Sequence, residues 1–449
     1  MASSPQKVLK VLEEWKISPP QGSVPSTTLP LTFFDIPWLL VPPSQPLFFF
    51  PLATTAATFT HSILPTLKLS LSIALQRFFP LAGNLSAPPQ PSKPQLTYCL
   101  GDSVSLTVAE SNADFVHLSG HHPRAAHEVH RLAPPLPLPS SLLAVQITVF
   151  PVSGVCIGFA LRHVAADGRT FHNFLKAWAS IHRLGLGLDS LSPSLNPSLD
   201  RLVIRDPNLL EAVLLKQWWS LRSSQGHFMA DRGVSSEDMV RATFVMGRPE
   251  MDKLKHLILI RSKKLFGSDP LYLSPYVIAC AVIWVCLTKV NGGGSPEEPH
   301  YFGFIAGGIT RLGYSVPVNY LGNCVSFGRS TAQGAELVGK DGIVVAAKAI
   351  GDTVKRLNGA VLGGAESWIS DWKEMFGSEL HVMVTGSPKL DLYGLDFGWG
   401  GPKKIEEISI DRTGAVSLAR STGLEGGIEI GLALPTAKME AFSSLFNCF

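Results

Sequence analysis

Residues 142–182 constrain this chain more than any other stretch. Two apolar runs, 142–150 and 155–161, flank a turn from Pro151 to Gly154, the pattern of a β-hairpin. The second run leads into His163-Val164-Ala165-Ala166-Asp167-Gly168. The apolar spacing then changes to that of a helix, with Phe171, Phe174, Leu175, Trp178 and Ile181 on one face. A strand that passes to a helix through one short turn holds His163 rigidly at the rim of a sheet. Gly168 permits the tight passage into the helix. Asp167 can fix the turn by pairing with a cation or with backbone amides. A histidine of ordinary pKa can take a proton from an alcohol at neutral pH. On these residues alone His163 is either a general base or a histidine that satisfies a backbone carbonyl.

The rest of the chain is mixed. Helical stretches are expected at 64–79, 249–260 and 343–357, with a shorter helix-like patch at 209–221. Strands are expected at 241–246, 301–329, 381–397 and 405–434. The longest apolar run, 276–287, follows Ser274 and Pro275 and is too short to span a bilayer, so it reads as a buried helix. Helices and strands in this order point to α/β or α+β architecture. A chain of 449 residues that is 45% hydrophobic exceeds what one core supports, which predicts two domains. Residues 184–235 lack a clean period and read as a connection. The division is residues 1–200, a crossover linker 201–235, and residues 236–449.

Charged residues make up 16% of the chain and the net charge is +3, too little basic surface to suggest a nucleic-acid partner. The six cysteines form no CxxC pair, which fits neither a zinc knuckle nor a redox motif and suits a reducing compartment. Residues 1–15 are charged and polar with no apolar core of a signal peptide, so a soluble, cytoplasmic protein away from membranes is expected. His117, His121, His122, His127 and His130 are irregularly spaced and interrupted by Pro123, and they read as a solvated loop with no metal site. No GxSxG elbow and no GxGxxG fingerprint is present.

Far downstream lies Asp396-Phe397-Gly398-Trp399-Gly400, two aromatics interleaved with glycines in a stiff turn of low charge. Read alone, it packs on a core and names no function. Together, HxxxDG and DFGWG resemble the two signatures of the plant BAHD acyltransferases, in the family's order and at a fitting separation. Other stretches agree: residues 79–85, the Ser274-Pro275-Tyr276 entry to the apolar helix, and Tyr320-Leu321-Gly322-Asn323-Cys324. The resemblance covers nearly the whole chain.

The resemblance implies an α/β fold like that of chloramphenicol acetyltransferase. It has two similar-sized domains of mixed sheet flanked by helices, with a channel between them. An acyl-CoA enters as co-substrate from one side and an acceptor alcohol from the other. No cofactor is held permanently, and a monomer suffices. It makes His163 the general base and Thr385 a candidate oxyanion donor. Asp167 and Gly168 become structural, and Asp396, Gly398, Trp399 and Gly400 shape the coenzyme A side. In the family the HxxxDG aspartate pairs with an arginine of the second domain. An aspartate and two arginines commonly precede the 320–324-like stretch there, at positions held here by Gly307, Ile309 and Arg311, so only Arg311 remains: either it is the partner or the turn is held differently. Ser274, Ser387, Lys389, Lys403, Lys404, Lys263 and Lys264 are candidates for the coenzyme A side.

The stretch 320–324, with residues 200–207 and 384–388, resembles the branch that acylates sugar hydroxyls of anthocyanins, flavonoids and other phenolic glucosides. Its donors are malonyl-CoA or hydroxycinnamoyl-CoA. A malonyl carboxylate needs a nearby cation, for which Arg169 is the candidate. Residues 33–50 and 360–375 are expected to line the acceptor pocket. From a different class, a non-catalytic relative that binds ligands through the same channel is the competing reading, supported by the altered arginine region.

Overall fold

The computed structural model describes residues 9–185, 191–223, 238–267, 271–295 and 297–449. Part of the expected linker, residues 224–235, lies outside them. Two large mixed sheets form the body. The first runs Leu9–Ile17, Val104–Ser111, Leu143–Phe150, Gly154–Leu161, Pro46–Pro51, Lys404–Glu407. The second runs Val325–Gln333, Pro299–Gly307, His381–Gly386, Val416–Arg420, Ile428–Pro435, Met239–Met246, Arg124–Ala125. A small three-stranded sheet sits beside them.

The expected hairpin is present, with Leu143 opposite Leu161 and Phe150 opposite Gly154. Every residue of both strands is buried, which explains their continuous apolar runs. The helix Gly168–Leu184 covers this sheet and buries Phe171, Phe174, Leu175, Trp178 and Ile181, the face predicted from spacing. In the second half the helix Pro275–Val290 is buried on all sides from Val277 to Thr288. Ser274 caps it by accepting a hydrogen bond from the Val277 amide, with Pro275 in the first turn. Ser274 is thus a structural cap.

A division at one boundary does not describe the sheets. Lys404–Glu407, from the C-terminal half, is an edge strand of the first sheet, paired antiparallel with Pro46–Pro51. Arg124–Ala125, from the N-terminal half, is an edge strand of the second, paired with Met239–Met246. Residues 387–397 are not strand: the chain leaves the sheet at Gly386, followed by Pro388 and a short turn at Leu392–Gly394.

The exchanged strands carry a buried charge cluster. Arg124, Arg241 and Lys404 meet Glu406, Asp411 and Glu429. Glu406 binds both Arg124 and Arg241, the latter at 2.8 Å, and Asp411 binds Arg241. Lys404 Nζ donates to Thr243 Oγ1 at 2.7 Å and lies 3.7 Å from Glu429. Arg124 and Arg241 are cross-strand neighbours, an arrangement that needs the shared carboxylate between them.

Candidate active site

His163 follows the strand Gly154–Leu161 and opens a single turn, His163–Ala165, ahead of the helix. Asp167 caps that helix by accepting from the Thr170 amide at 2.8 Å, and its other oxygen accepts from the Cys324 amide at 3.2 Å. The turn is therefore stitched to the second half of the chain.

The His163 ring lies between the two halves. The Trp38 ring stacks on its face, with centroids 3.6 Å apart and planes 14° from parallel. Nδ1 lies 3.1 Å from Asn323 Oδ1, and Nε2 has no hydrogen-bond partner among the described residues. Burial pushes the imidazole pKa below the ordinary 6.5. Asp167, the ring's own main-chain carbonyl, Asn323 and Asp35 pull the other way without cancelling it. At neutral pH the ring is neutral and can accept a proton. Trp38 continues into an aromatic wall, edge-on to Trp372, which meets Phe327, while Phe34 stacks on Trp368. Residues 33–50 and 360–375 thus meet beside the base.

Thr385 is half-buried near the end of His381–Gly386, opposite Ser417 of the neighbouring strand. The loop after it returns to the start of the His163 helix. Asp391 O lies 3.0 Å from His172 Nε2, and Leu390 packs against Gly168 so closely that a Cβ there would meet it at 3.0 Å.

A family model described as the transferase family matches residues 9–448. A malonyl-coenzyme:anthocyanin 5-O-glucoside-6'''-O-malonyltransferase of Salvia splendens is 37% identical, over 97% of this chain and 94% of that one. The chain belongs to the BAHD acyltransferases. Two further relatives, both from Arabidopsis thaliana, are a coumaroyl-CoA:anthocyanidin 3-O-glucoside-6''-O-coumaroyltransferase and phenolic glucoside malonyltransferase 2. The first is 37% identical (98% of this chain, 97% of that one) and the second 35% (98% of each). The fold matches vinorine synthase with a TM-score of 0.71 at 19% identity over 97% of this chain and 96% of that one. It also matches an F. graminearum protein solved with coenzyme A and deoxynivalenol, with a TM-score of 0.68 at 15% identity over 92% and 96%.

In this BAHD acyltransferase Arg311 is not the partner of Asp167. Its guanidinium bonds Asn358 Oδ1 at 2.7 Å and the Gly307 carbonyl. Arg169 takes that place: Nη2 lies 3.6 Å from Asp167, and Nη1 donates to Val318 O at 2.7 Å. So placed, Arg169 braces the motif turn, while its Nη2 makes no hydrogen bond among the described residues.

The DFGWG segment is a plug on the N-terminal half. Asp396 accepts from the Gly398 and Gly400 amides at 2.7 and 2.9 Å and lies 3.3 Å from Arg183. Burial raises its pKa, but these donors outweigh that and hold the carboxyl below its usual range. Gly398 and Gly400 have φ of +98° and +84°, which only glycine adopts without strain. Phe397 and Trp399 stack on each other; Phe397 meets Trp178, and both meet Phe50. Arg183 stands sixteen residues along the helix from Asp167, about 24 Å at 1.5 Å per residue.

The basic candidates divide. Lys263 and Lys264 are exposed at the end of the helix Arg248–Phe266, and Lys389 and Lys403 are exposed on loops. Lys404 is 1% exposed inside the charge cluster on the exchanged strands. Ser387 accepts from the Lys389 amide at 3.3 Å. Three of the clustered histidines bond carboxylates or one another: His117 with Glu128 at 2.9 Å, His122 with His117 at 3.0 Å and His130 with Asp411 at 2.7 Å. The described cysteines are all free.

Trp38 and Asp35 gave no signal beyond lying in the 33–50 stretch, and Arg201 and Asn323 were visible only inside family-like stretches. For Asn323, a polar side chain amid apolar neighbours was the one clue.

Proposed function

We propose that this acyltransferase moves a malonyl group from malonyl-CoA to a sugar hydroxyl of a flavonoid, anthocyanin or other phenolic glucoside. The observation that carries the mechanism is the placement of the His163 ring, anchored through Nδ1 to Asn323 under Trp38, with Nε2 left without a partner among the described residues. His163 Nε2 takes the acceptor proton as the oxygen attacks the thioester carbonyl carbon. The C–O bond forms and the carbonyl π electrons move onto oxygen. Thr385 is the proposed donor to that oxyanion. Collapse restores the carbonyl and expels the coenzyme A thiolate, which takes the proton back from His163. Positioned base catalysis contributes about 10²–10⁴-fold in rate, and holding both substrates in line adds more.

The names of the malonyltransferase relatives support the donor and the acceptor class. The coumaroyltransferase at the same identity and the Trp38–Trp372 wall favour a second reading, in which the donor is p-coumaroyl-CoA. Exposed Lys389 and Lys403 are proposed to face the coenzyme A phosphates. A single chain supplies each proposed residue, which supports action as a monomer. Free cysteines suit the cytosol. No described helix is long and apolar enough to cross a membrane.

A thiol-release assay with malonyl-, acetyl- and p-coumaroyl-CoA and a panel of phenolic glucosides tests this, alongside His163→Ala. Acceptor-dependent release with malonyl-CoA, lost in the variant, is expected. Release with p-coumaroyl-CoA alone moves the enzyme to the aromatic donor. No release with any pair, despite coenzyme A binding, refutes the enzymatic reading in favour of a ligand-binding relative.

A further inference from the structure

Asp35 is fully buried, at 0% exposure, one side chain away from the His163 ring. Between them stands Asn323. Its Nδ2 faces three oxygens: Asp35 Oδ1 at 3.0 Å, His163 O at 2.9 Å and Val164 O at 3.2 Å. Two are carbonyls and one a carboxylate, so all three accept and none donates. Reversing the amide would set its oxygen against three oxygens in a buried site. The orientation is therefore fixed by chemistry, and Oδ1 must face His163 Nδ1 at 3.1 Å. An amide oxygen only accepts, so Nδ1 carries the proton and the Nε2 lone pair is left for the acceptor alcohol.

Asp35 is held for this task from its other side. Oδ2 accepts from the Thr32 amide at 2.8 Å and the Thr32 hydroxyl at 2.9 Å, and Oδ1 also accepts from the Asn323 amide at 3.1 Å. Arg201, from the stretch between the halves, brings Nη1 to 3.6 Å of Asp35 and donates to Tyr320 OH at 2.7 Å. The two carbonyls alone would leave Asn323 held by weaker, neutral bonds.

We infer that Asp35, acting through Asn323, selects the Nδ1–H tautomer of His163 and is a positioning residue of the reaction. The inference rests on His163 being the base. Asp35 and Asp167 are the carboxylates that act on the ring, and both favour the imidazolium that forms at Nε2. Arg201 and Arg169 face those carboxylates, and Trp38 covers the ring face. A hydrogen-bonded amide between a carboxylate and an imidazole passes polarisation along the chain. Asp35 and His163 lie in the N-terminal half and Asn323 in the C-terminal half, so the tautomer also reports that the halves are in register.

The test is ¹⁵N NMR of the histidine-labelled full chain at pH 8, with His163 assigned by difference from His163→Gln. The expected spectrum has an unprotonated Nε2 and a protonated Nδ1. Asp35→Asn keeps the shape and removes the acceptor-only carboxylate, which lets the Asn323 amide turn. That variant is expected to show mixed tautomers and a kcat lower by about 10- to 10²-fold, a part of what a positioned base contributes. The KM for malonyl-CoA stays within about twofold, and the acid limb of the rate profile moves to lower pH. A purely structural role would leave that limb in place. A protonated Nε2 in the unaltered protein overturns the inference even where Asp35→Asn fails to fold. So does a variant with the original tautomer and kcat. Full activity in His163→Ala would instead refute the base itself, whichever tautomer is seen.

Discussion

Glu406→Gln tests the charge cluster that locks the exchanged strands together. The change is nearly isosteric and removes one negative charge from a site where Arg124, Arg241, Lys404 and Glu406 are 0%, 1%, 1% and 4% exposed. Glu406 bonds both arginines and lies 3.8 Å from Lys404, so three buried cations would remain against Asp411 and Glu429. Removing one partner of a buried ion pair costs about 3–5 kcal/mol. With a urea slope of about 3 kcal/mol per molar, that lowers the unfolding midpoint by roughly 1–1.7 M. Burial already lowers the Lys404 pKa, against the pull of Glu406 and Glu429. Lys404→Met in the same chain restores the balance of two cations to two carboxylates. The double variant is expected to recover about 1–2 kcal/mol relative to the sum of the single changes, a direct coupling energy. Urea unfolding of the four proteins in the cycle is the assay. A Glu406→Gln protein within about 0.5 kcal/mol of the parent, or strictly additive single changes, would refute the account of the cluster as a mutually compensated lock.

Three further outcomes are expected. Because burial lowers the His163 pKa, kcat/KM should be at full value at pH 7 and fall with an acid limb below 6.5; a limb above 6.5 would contradict the geometry. By the same sign the unfolded chain binds the proton more readily, so stability is lost as pH falls from about 6.5 toward the folded pKa. Arg169→Leu should reduce rates with malonyl-CoA and acetyl-CoA by similar factors, since it braces Asp167, whereas Arg311→Ala should change either rate by less than about twofold; steady-state kinetics with both donors decides. Phe397→Ala should cost about 3–5 kcal/mol of stability, as for a large buried aromatic, while kcat in the folded protein stays within about threefold; a kcat collapse with unchanged stability would place DFGWG in the chemistry.

Local order made much of the fold legible. The hairpin, the Gly168–Leu184 helix and the buried Pro275–Val290 helix each declare themselves by spacing within a short window, and the HxxxDG turn lies between two of them. The exchanged strands do not. Arg124–Ala125 is too short for any period, and Lys404–Glu407 carries three charges and one apolar residue, Ile405. Its inward positions, Lys404 and Glu406, look like surface residues until a partner from far away is known. Two opposite charges two apart on a strand, followed by nothing to hold them locally, was the only available hint. The site divides the same way. His163 and Asp167 are set by neighbours in sequence. Trp38, Asp35 and Asn323 reach the ring from distant parts of the chain, and pairings of that kind leave no local trace. The carbonyl that Arg169 donates to, Val318 O, is likewise distant in sequence.

The strand exchange has a mechanical consequence. Each half is laced into the other's sheet by main-chain hydrogen bonds, so the molecule cannot open like a hinged shell without tearing an edge from a sheet. A movement of one sheet is therefore passed to the other through the strand each has lent. A cut at any single point between the halves would yield two fragments each missing a strand, so exchange of halves between relatives should succeed only when both edge strands travel with the sheets they complete.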